Sequence, residues 1–132
     1  MSCTSCLYVA NTVPQDVAVN GSVNLGTVVR RFGKNINVSG GNIVTQGPGY
    51  YKTDITIDFT GAAGTTVFTV YENGTVIPGA TVTRTTAAGT VYSITIPSFV
   101  TRNKCCADKT ISVVVSGAAI TDATASAVSV KL

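Results

Sequence analysis

The sequence predicts an all-β protein: a jelly-roll sandwich of two antiparallel sheets with about eight to ten strands. Three observations carry this. Apolar and polar residues alternate with period two in one segment after another, and helical periodicity is absent. Val, Ile and Thr, which suit a pleated and half-buried surface, are abundant. Turn signals recur at short intervals: Asn20-Gly21, Gly40-Gly41, Gly47-Pro48-Gly49, Gly61 to Gly64, Asn73-Gly74, Ala88-Gly89 and Gly117.

Taken in order, the strand candidates are "LYVAN", "SVNLGTVVRRF", "INVSG", "NIVTQ", "YYKTDITIDF", "TTVFTVYEN", "TVIPGATVTRT", "TVYSITIPSFV", "KTISVVVSG" and "ASAVSVKL". The clearest is "YYKTDITIDF". Successive strand side chains point to opposite faces, so Tyr51, Thr53, Ile55, Ile57 and Phe59 share one face. Tyr50, Lys52, Asp54, Thr56 and Asp58 share the other. Tyr51, Ile55, Ile57 and Phe59 are therefore the predicted core. Asn-Gly between alternating runs marks a tight hairpin, because a type I′ turn needs positive φ twice. In "VSVKL", Val128, Val130 and Leu132 are expected to face the core, with Ser129 and Lys131 outward.

The length suits one domain. Residues 1–6, "MSCTSC", are small and polar and read as an N-terminal cysteine-bearing arm. Residues 7–132 read as a single jelly-roll domain. No secretory signal is evident at the start, so the chain is expected to fold in a bacterial cytoplasm. No stretch has the apolar length of a membrane-spanning helix, and no membrane partner is expected.

Charged residues make up only 11% of the chain, which is little for a free monomer and suits a subunit flanked by copies of itself. The net charge of +3 is scattered, and the only adjacent basic pair is Arg30-Arg31. A nucleic-acid binder would show a basic stripe, so no nucleic acid is expected. There is no His, which removes the commonest general base near neutral pH and every Ser-His-Asp or Cys-His arrangement. Asp54 and Asp58 share a strand face but stand about 13 Å apart, too far for a paired-carboxylate site. "GGNIVTQGPG" lacks the lysine and helix of a phosphate loop. No catalytic residue and no cofactor is expected. "NGS" at Asn20, "NVS" at Asn37 and "NGT" at Asn73 match the glycosylation sequon and are read as turn residues.

The one unusual constellation is Cys3, Cys6, Cys105 and Cys106. A Cys3–Cys6 bridge would close a very small strained ring, and adjacent cysteines pair even less readily. Lys104 and Lys109 flank the second doublet, which favours its thiolates. The preferred reading is a disulfide staple between the doublets, reaching a neighbouring subunit. A four-cysteine zinc site and inert thiols are the alternatives; the adjacent pair suits zinc poorly.

The stretch "QGPGYYKTDITIDFTGAAGTTVFTVYENGTVIPGATVTRT" resembles the trimeric jelly rolls of the tumour-necrosis-factor and complement globular-head type. It is most similar to their bacterial and bacteriophage versions, including C-terminal domains of collagen-like spore-surface proteins. The likeness rests on Pro48-Gly49-Tyr50-Tyr51 opening a central strand, on the hairpin from Val70 to Gly79, and on a final strand ending in "AVSVKL". "LYVANTVPQDVAVNGSVNLGTVVRRFG" also resembles small structural proteins of phages infecting Firmicutes. The resemblance implies a homotrimer with Tyr71 and Tyr92 near its axis. It implies a phage structural protein, such as a capsid decoration protein or a short head or tail fibre, located in the virion. Its partners would be itself, other virion or surface-layer proteins and a host-surface glycan. No collagen-like stalk precedes the domain. The alternatives are a spore-surface or appendage subunit cross-linked by cysteine, and a carbohydrate-binding module. The last lacks Trp for stacking on sugars.

Overall fold

The computed structural model describes residues 5–104 and 107–132. Among them run ten strands: β1 (Cys6–Val17), β2 (Thr27–Phe32), β3 (Ile36–Ser39), β4 (Asn42–Thr45), β5 (Gly49–Thr60), β6 (Gly64–Glu72), β7 (Thr75–Thr86), β8 (Val91–Asn103), β9 (Lys109–Ser116) and β10 (Ile120–Lys131). They form two five-stranded antiparallel sheets, ordered β2-β1-β10-β5-β8 and β3-β4-β9-β6-β7. This is the predicted jelly-roll sandwich.

The core lies between the sheets. Tyr51, Ile55, Ile57 and Phe59 are fully buried on the inner face of β5. Phe59 meets Phe68 of the opposite sheet with ring centroids 5.1 Å apart and planes tilted by 56°. Such tilted rings set the positive edge of one against the negative face of the other. Tyr51 carries its hydroxyl to the sandwich end, where it donates to the carbonyls of Gln46 (2.7 Å) and Gly47 (2.9 Å). Burial pushes its phenol pKa above the ordinary value, opposed by the Asn35 side chain.

Asn73 (φ 49°) and Gly74 (φ 81°) make the two-residue turn joining β6 to β7. Asn20-Gly21 is different. Asn20 has φ 66°, but the Gly21 N–H closes a turn onto the Ala18 carbonyl, and the flanking chains do not pair as a hairpin. Residues 22–26 were expected to begin the second strand. Ser22 and Val23 lie instead along β9, and Asn24 to Gly26 cross back toward Gln15 and Ala10 of β1. Asn37, read as a turn residue, stands in β3, where its amide donates to Gln46 Oε1.

The last strand is inverted relative to expectation. Ala123, Ala125, Ala127 and Ser129 face the core; Val128 is exposed and Val130 half-buried on the outer side. Register explains this. Residues directly opposite each other share a face, and Ala127 stands opposite Val9 and Ile55, both buried. Val128 stands opposite Tyr8 and Asp54, both outward. Small alanines suit a core already filled by Tyr51, Phe59 and Phe68. Lys131, expected outward, brings its ammonium within 6.0 Å of the Tyr51 ring centroid.

Of the expected arm, Ser5 and Cys6 lie among the described residues. Ser5 is fully buried, its carbonyl accepts from the Lys131 N–H, and its hydroxyl donates to Asn35. Cys6 opens β1. Both belong to the folded sheet, because pairing with β10 satisfies their backbone.

Candidate assembly face

The outer face of the first sheet is built by cross-strand rows. One row runs Phe32, Cys6, Val130, Lys52, Val100. The next runs Arg30, Tyr8, Val128, Asp54, with Ser98 of β8 donating to Asp54. Further along come Ala10, Ser126, Thr56 and Thr95, then Thr124, Asp58 and Ser93. At the near end Arg102 lies over the Tyr50 ring, 5.6 Å from its centroid.

The face is therefore divided. One half is polar and carries Asp54 and Asp58. The other carries Tyr8, Tyr50, Val100, Val128, Val130 and Phe32. Relative exposures of 41% for Val128, 50% for Tyr50 and 54% for Val100 leave large side chains in water on this face, with Lys52 standing between Val130 and Val100. A solvated sheet face normally alternates to polar residues. Large apolar side chains exposed among charges make this face a candidate contact surface. Two grooves flank Tyr8 on this face. The first is lined by Leu7, Phe32 and Val128, and the second by Ala10, Thr56 and Asp58.

Tyr71 and Tyr92 are not brought together. Tyr71 points out from the second sheet, opposite Val76 and Ser112. Tyr92 sits at the β7–β8 seam: its ring stacks on Phe59 at 5.6 Å, Arg84 covers it, and its hydroxyl accepts the Ala87 N–H.

Cys6 is disulfide-bonded. Cys3, Cys105 and Cys106 lie outside the described residues. The flanks of both doublets meet at one end of the sandwich. Ser5 is bonded to Asn35, Asn35 to the Gln46 carbonyl, and Gln46 to Asp108. Zinc ligation needs a thiolate, so Cys6 serves a metal only if its bond is reduced. Among the described residues no cluster of three His, Cys, Asp or Glu side chains could hold a metal.

The acids are dispersed. Glu72 pairs with Lys109, and Asp16 accepts the Asp122 N–H. A cavity of about 510 Å³ opens where β7 meets β8, lined by Glu72, Val76, Ile77, Pro78, Arg102 and Lys109 among others. No aromatic ring lines it on which a sugar could stack.

A two-sheet jelly roll is thus the class that the structure defines. No protein-family model matches the chain, and no curated protein matches it in sequence. Solved structures match in fold. The chain is similar to PRD1 vertex protein P5, with TM-score 0.69 and 15% identity over 100% of this chain and 99% of that one. It is similar to murine APRIL at pH 5.0, with TM-score 0.73 and 15% identity over 97% and 98% of the two chains. It is also similar to the globular domain of a zebrafish complement 1qA protein, with TM-score 0.68 and 10% identity over 94% of each. The chain has the jelly-roll fold of the tumour-necrosis-factor and complement globular-head type, which a phage vertex protein shares.

Proposed function

We propose that this chain is a non-enzymatic structural protein of a phage particle. It acts as a capsid decoration protein or short head or tail fibre, assembling as a homotrimer. The observation that carries the reading is the outward turn of Val128 and Val130. The sequence places its larger aliphatic side chains on the outer side of β10 and its alanines inside. In a lone monomer that arrangement forfeits burial worth roughly 0.8 kcal/mol per CH₂. Association of three outer faces recovers it, and such interfaces resemble a domain core cut apart. The fold shared with PRD1 vertex protein P5 supports a virion location. Tyr92 packs on Phe59 at the inner side and lies away from that face, and Tyr71 would serve a contact of the second sheet. Loops at the free end of the sandwich would meet other virion proteins or a host-surface glycan.

A second reading, an endospore-surface or appendage subunit, rests on the four cysteines; the bond at Cys6 lies within one chain and would have to exchange to reach a neighbour. In it Cys3, Cys6, Cys105 and Cys106 join subunits. Gene neighbourhood separates the two readings: capsid and portal genes beside this gene support the first, spore-coat genes the second. A non-reducing gel tests the staple. Covalent oligomers lost with reductant, and lost in a Cys3→Ser, Cys6→Ser variant, are expected; monomer alone contradicts it.

A further inference from the structure

Strand β2 is built unlike the other nine strands of the described residues: none of its six residues is buried. It pairs with β1 on one side only and forms the margin of its sheet. Among the described residues no strand stands beside its backbone groups on the far side. An open edge of this kind is a template for another strand. The chain enters β2 by passing tightly over β1. At Gly26 (φ 101°) a Cβ would lie 2.0 Å from the Ala10 carbonyl oxygen, so the strand is fixed in place. Along it stand Val28, Val29 and Phe32, all exposed, and the pair Arg30-Arg31. Among the described residues Arg31 has no hydrogen-bond or ion-pair partner, and Arg30 reaches only the Val29 carbonyl.

We infer that the free edge of β2 takes up an extended segment of another protein, bearing two adjacent acidic residues between β-branched ones. Consecutive strand residues point to opposite faces, so Arg30 and Arg31 call for one acid on each face. Val28, Val29 and Phe32 call for apolar neighbours. A second copy of β2 fits badly. In the full antiparallel overlap Arg30 stands opposite Val29 and Arg31 opposite Val28. Each Arg30 then lies diagonally across from the other copy's Arg31 on the same face, and like charges so placed repel. An acidic segment turns the same two positions into charge-assisted bonds. Main-chain hydrogen bonds supply affinity and the alternating side chains specificity, as in strand addition generally. Arg30 and Phe32 also border the outer face proposed for the trimer, whereas Arg31 stands opposite the inward Leu7, so Arg31→Glu separates the edge from that face.

The test is fluorescence anisotropy on the full chain with a labelled peptide Ile-Glu-Asp-Val-Val-Thr. Saturable binding is expected, weakened at least tenfold when Glu-Asp becomes Lys-Lys, and lost when every peptide N–H is methylated. In an Arg30→Glu, Arg31→Glu variant the preference should reverse toward the lysine peptide, a gain that misfolding cannot produce. Three results would overturn the inference: no saturable binding of the acidic peptide, equal binding of the methylated peptide, or a change in assembly mass caused by Arg31→Glu alone. The last would mean that a second copy covers the edge.

Discussion

Phe59 shows how one side chain couples the two sheets. It is fully buried, touches Phe68 across the core and supports Tyr92 at the seam. Phe59→Ala should destabilise the fold by about 3–5 kcal/mol through lost burial and the cavity left behind, read by denaturant unfolding. Two buried threonines on neighbouring strands should respond in opposite ways. The Thr53 hydroxyl bonds to Ser129 Oγ at 3.0 Å inside the core. Thr53→Val orphans Ser129 and should cost about 1–3 kcal/mol, whereas the Thr53→Val, Ser129→Ala pair should be nearly neutral. Thr101 is buried, and its hydroxyl has no partner among the described residues. Thr101→Val removes an unsatisfied group, so unfolding should show unchanged or higher stability, by about 1 kcal/mol at most. Alternation around Ile55 reveals which side chains are buried. It does not reveal which buried hydroxyls find each other, because Thr53 and Ser129 are far apart in sequence and meet only through register.

Strands were legible where local pattern decides them. β5 alternates cleanly because its two faces meet different media, and Asn73-Gly74 announces its hairpin through the φ values it demands. β10 was misread because both of its faces carry apolar residues. In "ASAVSVKL" amplitude favours Val over Ala as the core set, while register against Ile55 and Val9 chooses Ala. A strand whose larger aliphatics face out can be recognised only once its neighbours are known. The same inversion makes Val128→Glu informative. It should leave the monomer's unfolding free energy within about 0.5 kcal/mol, as for other surface changes, while altering assembly. Gly26→Ala differs: its Cβ would meet the Ala10 backbone, and φ 101° disfavours any side chain. It should cost more than about 1 kcal/mol and loosen β2, seen as faster amide exchange in β2 than in β10.

At the scale of the whole molecule, the sandwich and its ten strands followed from period-two pattern and turn chemistry, and the fold comparisons agree. The assembly face did not follow, since it is assembled from β1, β2, β5, β8 and β10, which are distant in sequence. Low charge pointed toward association without saying where. Far-ultraviolet circular dichroism should show strand with no helical minimum. The central claim is that the outer face of the first sheet joins copies of the chain. Light scattering on the purified protein at micromolar concentration tests it most directly. The predicted result is a mass near three times the 13.5 kDa of one chain, falling to a single chain in the Val128→Glu variant with its fold intact. A monomer mass for the unmodified protein, or a trimer unmoved by Val128→Glu, would contradict it.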